Sequence, residues 1–291
     1  MPETSSFTML GRLYDTLPQF LRPVEFRIVR TVGELCASAH LVYDEYLKRN
    51  YLRPHASAMR LSMYHALPTT ATFIAHHRQH GIVGTISLIQ DSPLGLPMDE
   101  AYKNELDELR RRGQRLAEAS MLALDSRLFG RRVFTLFHAK KLLMTLRLFK
   151  VMFDYLRSTT SANELVACFN PKHQILYEFL KLKPLGGLKT YSGANGNPSV
   201  ARHLNIDETK RQATSHVAYR LFYGKRPSAK PFANQLRLSP EELRTLFVQH
   251  LSILPSASPS ELAYIQSCYP TYAFGKILEP PVPSAISHGQ F

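Results

Sequence analysis

Hydrophobic and polar positions alternate through "VEFRIVR" (24–30), which predicts a strand set off upstream by Pro23. The period then lengthens. In "TVGELCASAHLVYDEYLKRNYL" (31–52), Leu35, Ala39, Val42, Tyr43 and Tyr46 recur at helical spacing, and Thr31 with Glu34 three residues on forms a start signal. "ATFIAHH" (71–77) and "GIVGTISLIQ" (81–90) read as two strands joined by the turn "RQHG", where Gly81 supplies positive φ. A turn-rich loop (91–100), capped by Asp91 and Ser92, feeds a polar helix that stops at Gly113.

The small and apolar run "QRLAEASMLALD" (114–125) predicts a strand, followed by a long helix over 133–159. A strand (163–170), a helix opened by Pro171 (171–182) and two strands around a Gly/Asn-rich bend (184–191 and 199–206) come next. Helices are predicted over 208–224, 239–252 and 258–268. The last two open with Ser-Pro and an acid. This order indicates a mixed α/β sheet: an irregular lead-in (1–23), one domain (24–207), and a helical C-terminal extension (208–291) with a loose proline-rich tail.

The composition narrows the class. The 291 residues are 44% apolar, enough for a sizeable core, and no apolar run reaches the length of a membrane-spanning helix. Lys and Arg number 36 against 23 Asp and Glu, a formal charge of +13. That implies an acidic partner: nucleic acid, a membrane surface touched transiently, a phosphorylated ligand or an acidic protein. Cys36, Cys168 and Cys268 are odd in number and far apart, with no metal-type spacing. They indicate packing residues and a reducing, cytoplasmic compartment.

On a regular strand, Glu118 and Ser120 share a face with Leu116 and Leu122, while Ala117, Ala119, Met121 and Ala123 occupy the other. A desolvated carboxylate there has a raised pKa and can take a proton from an ammonium; the plainer reading is a salt bridge from Glu118 to an arginine. Downstream, Ser126 to Phe153 holds no acidic residue but seven bases: Arg127, Arg131, Arg132, Lys140, Lys141, Arg147 and Lys150. A loop with Gly130 leading into a helix start suits an anion, although a solvated cationic helix face produces the same pattern.

Strand, basic glycine loop, helix, strand and then a helix with Asn170 at its start and Tyr177 inside it resemble the central motif of the GNAT acyltransferases. "FNPKHQILYEFLKLKPLGG" carries the second half of that motif. "LPTTATFIA", "VGTISLIQDSPLGLPMDEAYKNELDELRRRGQRLAEASMLALD" and "VYDEYLKRNYL" together resemble the long-chain N-acyl amino acid synthases of the FeeM type, which are related to the acyl-homoserine lactone autoinducer synthases. The resemblance runs over about 24–206 and is sharpest over 67–125.

It implies a GNAT-like fold and transfer of a fatty acyl group from acyl-phosphopantetheine on an acyl carrier protein to the α-amine of a free amino acid, with no tightly bound cofactor and no metal. Glu118 and Ser120 are then expected at the reacting amine, backbone donors of Ser120 to Ala123 at the oxyanion, and Tyr177 at the leaving thiolate. Met121, Leu122, Ala123, Arg127, Gly130, Arg131, Arg132 and Asn170 would meet the phosphopantetheine arm. "RLFGRR" departs from the usual coenzyme A loop by carrying Arg132 where a second glycine belongs; more charge and less glycine suits the single phosphate of a carrier-protein arm. Tyr43, Asp44, Tyr46, Arg60, Thr69 and Thr70 are candidates for the amino acid, with Arg60 as a carboxylate clamp. The acyl chain would need an apolar slot along 136–149 and the C-terminal helices. Alternatives are an acyl-CoA N-acyltransferase, a lactone-forming autoinducer synthase and a basic nucleic-acid-binding protein.

Overall fold

The computed structural model describes residues 21–129, 136–212, 222–223 and 227–279. Seven strands form one sheet in the order β1-β2-β3-β4-β5-β7-β6: β1 Val24–Ile28, β2 Ala71–His77, β3 Gly81–Gln90, β4 Leu116–Leu124, β5 Glu164–Phe169, β6 Lys183–Tyr191 and β7 Asn197–Asn205. Neighbours pair antiparallel except β4 and β5, which are parallel.

That parallel pair sets up the site. Its ladder holds only Leu116↔Glu164, Ala117↔Leu165 and Glu118↔Val166. Past Glu118 the two strands part, and the sheet opens along the rest of β4. The crossover between them is the long helix α3 (Leu136–Thr159; the helices are numbered along the chain from α1). Leu143, Met144, Leu148, Phe149, Met152 and Phe153 of α3 lie in the core on one face of the sheet, with Ile86, Leu88, Ala119 and Leu124 beneath them. Gly84 permits this approach: a Cβ there would stand 2.7 Å from Leu124 and 3.1 Å from Leu148.

The opposite face carries α1 (Val32–Leu47), started by Thr31 accepting from the Glu34 N–H, and α2 (Asp99–Arg111), followed by Gly113 at φ +76°. Residues predicted to continue the first helix to position 52 instead turn away after Lys48, and Asn50 sits at φ +58°.

The C-terminal extension packs on both faces: Phe222, Tyr223 and Phe232 join the core under α3, and the later helices cover the second face. After the 3₁₀ and α4 turn (Pro171–Phe179) and the short α5 (Ile206–Gln212), the described chain continues through α6 (Pro240–Leu243), a π-helical turn (Arg244–His250), α7 (Pro259–Ser267) and α8 (Phe274–Leu278). Leu246, Phe247, Ile265 and Phe274 share a core with Leu35, Ala39 and Ile74. Tyr269 donates to the Ala66 carbonyl at 2.6 Å. Both serine caps predicted for α6 and α7 form reciprocal capping boxes, Ser239 with Glu242 and Ser258 with Glu261. No helix among the described residues is long and apolar enough to cross a membrane.

Candidate active site

A cavity of about 490 Å³ occupies the gap between β4 and β5. Residues 118–124 form one wall, so the parted strand edge faces directly into it.

Strand β4 does not alternate regularly through this wall. Thr85 pairs with Ala123 and Ser87 with Ser120, so β4 carries an extra residue against β3, and Met121 sits at φ +55°. This is a β-bulge. It corrects the face assignment made from strict alternation. Met121 and Ala123 pack with Leu41 and Val42 of α1, whereas Leu122 and Leu124 join Ala117 and Ala119 in the core under α3. Beyond Ser120, the odd rather than the even positions point to the α1 face, because one unpaired residue inverts the parity of everything after it.

Glu118 is 3% exposed. One carboxylate oxygen accepts from the Met98 N–H at 2.9 Å, just ahead of α2, and the Ser120 hydroxyl also bonds it. No arginine or lysine pairs with it among the described residues. Burial pushes its pKa up to about 8, and the nearby Asp99 carboxylate adds to the rise. Asp99 is itself clamped with Asp91 by Arg110, at 2.6 Å and 2.7 Å. Arg110 is thereby spent on those aspartates and Arg111 and Arg112 on Glu108, which leaves Glu118 without a counter-charge among the described residues. Asp91, expected to cap its turn, does so by accepting from the Ser92 N–H while holding Arg110.

Around Glu118 the cavity is aromatic. Tyr46, Tyr51, Tyr64 and Tyr191 line it together with Arg60. Burial raises the Tyr46 and Tyr64 hydroxyls to about 12 and Tyr191 higher still, so all three are neutral donors across the physiological range. Arg60 donates from Nη2 to the Gly193 carbonyl at 3.0 Å, while its Nε is buried with no partner among the described residues. The β6–β7 hairpin end closes over this side: Tyr191 donates to the Pro97 carbonyl, Ser192 bonds Glu100, and Asn197 reaches the Asn50 carbonyl.

Tyr177 stands across the gap, 5% exposed, its ring stacked on Phe169 with centroids 3.5 Å apart and planes 2° from parallel. Burial holds its hydroxyl protonated well above the ordinary tyrosine value. Asn170 lines the cavity too. Its side chain caps the following 3₁₀ turn by accepting from the Lys172 N–H.

Of the residues expected at a site, the structure gathers Glu118, Ser120, Met121, Leu122, Ala123, Asn170, Tyr177, Tyr46 and Arg60 around this one cavity. Others lie off its wall. The Tyr43 hydroxyl is tied to the His55 backbone, because the helical periodicity that singled it out turns it into the core. Asp44, on the next helix position, is exposed. Thr69 is exposed and its carbonyl serves Gln90; the Thr70 hydroxyl is taken by the Tyr64 carbonyl. Arg127 folds back onto Asp125 at 2.8 Å with 78% of its side chain in solvent. Gly130, Arg131 and Arg132 fall outside the described residues. Among the described residues, α3 contributes only Lys141 and Thr145 to the cavity wall and the C-terminal helices contribute none, so the expected acyl slot along the extension is not part of this cavity. Its apolar side is Leu122, Leu124, Phe169 and Leu176. Sequence reasoning missed Tyr64, Tyr191, Arg49 and His173, and held Lys141 only as one of the seven bases between Ser126 and Phe153. Only Tyr64, an aromatic within a few residues of Arg60, carried a local hint.

A mixed sheet that parts between its two parallel strands, with a deep cavity in the parting, is a GNAT-like acyltransferase fold. The chain is an acyltransferase. The family model for the N-acyl amino acid synthase FeeM matches residues 37–205. The solved structure of FeeM, an N-acyl amino acid synthase from uncultured soil microbes, is 30% identical, covers 65% of this chain and 94% of its own, and superposes with a TM-score of 0.53. The acyl-homoserine lactone synthase LasI (14% identity; 74% of this chain and 97% of that one; TM-score 0.46) and the CoA-dependent acyl-homoserine lactone synthase BjaI (14%; 74% and 95%; 0.47) are more distant. No curated protein matches by sequence. The chain belongs to the FeeM N-acyl amino acid synthase family.

Proposed function

We propose that the protein moves a long-chain fatty acyl group from the phosphopantetheine thioester of an acyl carrier protein to the α-amine of a free amino acid, by direct attack in a ternary complex. The observation that carries this reading is the position of Glu118: a desolvated, unpaired carboxylate at the point where β4 and β5 part, inside a cavity that reaches both faces of the sheet.

An amino acid near neutral pH brings an ammonium, which has no lone pair for attack. Ionised Glu118 takes one of its protons, directly or through water. The nitrogen attacks the thioester carbonyl, the N–C bond forms, and the C–S bond breaks as the tetrahedral intermediate collapses. The oxyanion meets main-chain N–H groups at Met121 and Leu122, which the bulge removes from the β3 ladder. The departing thiolate takes the Tyr177 proton, the proton held on Glu118 restores the tyrosine through solvent, and the second proton lost by the attacking nitrogen passes to water as the amide forms. Arg60 clamps the substrate carboxylate with the guanidinium nitrogens not bonded to Gly193. Tyr46 stands between the two substrates.

The direct test is lipid mass spectrometry of cells expressing the full chain, followed by assay of the purified protein with one amino acid and the same acyl group on carrier protein or coenzyme A. N-acylated amino acids are expected in the cells, with carrier-bound donor turned over at lower concentration. An unchanged lipid profile and no turnover from either donor would sink the reading; equal use of coenzyme A would sink the donor assignment.

Charge supports the carrier protein. With +13 overall and arginines at 131 and 132, an acidic donor is steered to the helix α3 end of the molecule. Changing Arg131 and Arg132 together to Glu is expected to raise KM for the carrier-bound donor about tenfold or more with kcat little changed. Raising salt from 0.05 to 0.5 M should weaken the wild type in the same direction, as the Debye length shrinks several-fold. Steady-state kinetics on both proteins checks it.

A further inference from the structure

The segment 59–70, between α1 and β2, stands between the cavity and the C-terminal extension, and its side chains divide between the two. Arg60, Ser62 and Tyr64 line the cavity. Leu61, Ala66 and Leu67 sink the other way, into a core shared with Leu246, Phe247 and Ile265 of the extension. A 3₁₀ turn (Met63–Ala66) shapes the segment, and the Ser62 N–H donates to the buried His65 ring. The extension grips this turn by its main chain. The buried Tyr269 hydroxyl donates to the Ala66 carbonyl at 2.6 Å, and Gln235 donates to the Thr70 carbonyl at 3.0 Å. Gln235 is itself anchored, accepting from Tyr155 of α3 at 2.8 Å, and the next N–H, of Leu236, reaches the Val29 carbonyl. A further contact reaches the loop ahead of α2, where Ser92 bonds the Tyr264 hydroxyl. That loop carries Leu94, whose carbonyl accepts from Tyr64, and Met98, whose N–H meets Glu118.

Resting on the acyl-transfer reading above, we infer that the C-terminal extension braces the amino-acid side of the cavity, with Tyr269 as the positioning residue that holds the segment bearing Arg60 and Tyr64 in its binding geometry. The family match ends at residue 205, and this brace lies beyond it. The physical reason is preorganisation. The segment pairs with no strand, so without a grip on its main chain it would have to be ordered as the amino acid binds, and that entropy cost weakens binding. Hydrogen bonds to the Ala66 and Thr70 carbonyls fix it beforehand. Tyr269 is not in the cavity wall and acts through the turn alone.

Tyr269→Phe tests this, because it removes the hydroxyl and keeps the ring that stacks on Tyr272. Tyr272→Phe is the control: its hydroxyl donates to the Leu238 carbonyl at 2.9 Å, a bond wholly inside the extension. Steady-state kinetics on the full chain should show KM for the amino acid raised about threefold to tenfold in Tyr269→Phe, the weight of one neutral hydrogen bond, with kcat and the donor KM within about twofold of wild type. Tyr272→Phe should lose similar thermal stability and keep the wild-type KM values. Amide hydrogen exchange reads the brace without turnover: exchange across 61–67 should quicken in Tyr269→Phe and not in Tyr272→Phe. In an active enzyme, an unchanged amino-acid KM in Tyr269→Phe would overturn the inference. So would equal rises in both KM values, or the same rise in Tyr272→Phe, either of which reduces the extension to bulk stability. If no protein turns over, the wild type included, quickened exchange refutes the proposed reaction and leaves the brace standing, whereas unchanged exchange removes the brace as well.

Discussion

Replacing Glu118 with Gln should lower the rate of acyl transfer on the order of 10²- to 10⁴-fold, the usual contribution of a positioned general base. The glutamine amide keeps the volume of the carboxyl group and can still accept from the Met98 N–H, so the packing around it survives. What disappears is the ability to take a proton. In the wild type, kcat/KM at saturating donor should rise about tenfold per pH unit and level off near pH 8, where Glu118 becomes ionised. That limb should be missing from the variant. The same substitution has a stability signature of known sign. Burial raises the folded-state pKa of Glu118 from its ordinary 4.5 to about 8, so the folded chain favours the protonated form. Its contribution is complete below pH 4.5 and is lost as pH rises towards 8, because the unfolded chain releases that proton first. Glu118→Gln cannot ionise. Its stability relative to the wild type should therefore improve between pH 5 and 9 in paired thermal melts. A variant with wild-type rates and an unchanged pH profile would exclude Glu118 from the proton transfer.

Replacing Arg60 with Met should raise KM for the amino acid about 100-fold, close to 2.7 kcal/mol, with kcat within a few-fold of wild type. A clamp that grips the carboxylate equally in the ground and transition states changes KM alone. The guanidinium offers five donors, of which the Gly193 carbonyl uses one, and its Nε is buried without a partner among the described residues. A buried donor left open is costly unless a ligand fills it. KM for the acyl donor should not move, which separates loss of the clamp from general damage to the cavity. The lost bond to Gly193 should cost about 1 kcal/mol of stability, visible in denaturant melts. Parallel rises in both KM values, or none, would place the amino acid's carboxylate elsewhere.

The elements of this chain were readable because they depend on neighbours a few residues apart. The β2–β3 hairpin matches its predicted bounds because two apolar, β-branched runs are joined by a short turn closed by a glycine at φ +68°; the register shift between Ala75 and His76 left no mark in the sequence. The Ser-Pro-acid starts of α6 and α7 form the boxes their spacing implies. Glu118 was legible as an acid inside an apolar strand, and its shared face with Ser120 survives in the bond between them. The inversion after Ser120 was not legible, since a methionine at φ +55° leaves no mark in the sequence and a strand is read as regular by default. Tyr43 and Asp44 show the opposite failure. Both satisfied a chemical expectation, yet one turns into the core and the other into solvent, because the pitch of α1 decides which side chains reach the cavity.

By itself the sequence determined the strands and helices, the excess of positive charge and the carboxylate inside an apolar strand, since each follows from local periodicity or simple counting; that no base pairs with Glu118 among the described residues was decided by the fold. Only the tertiary structure decided where the sheet parts, and that Arg49, Lys141 and His173 line the same cavity. Parting follows from how far two strands nearly fifty residues apart stay in register, and the shared wall from three elements converging across that break. Both are long-range outcomes of packing α1 and α3 on opposite faces of the sheet, which no short window of residues encodes.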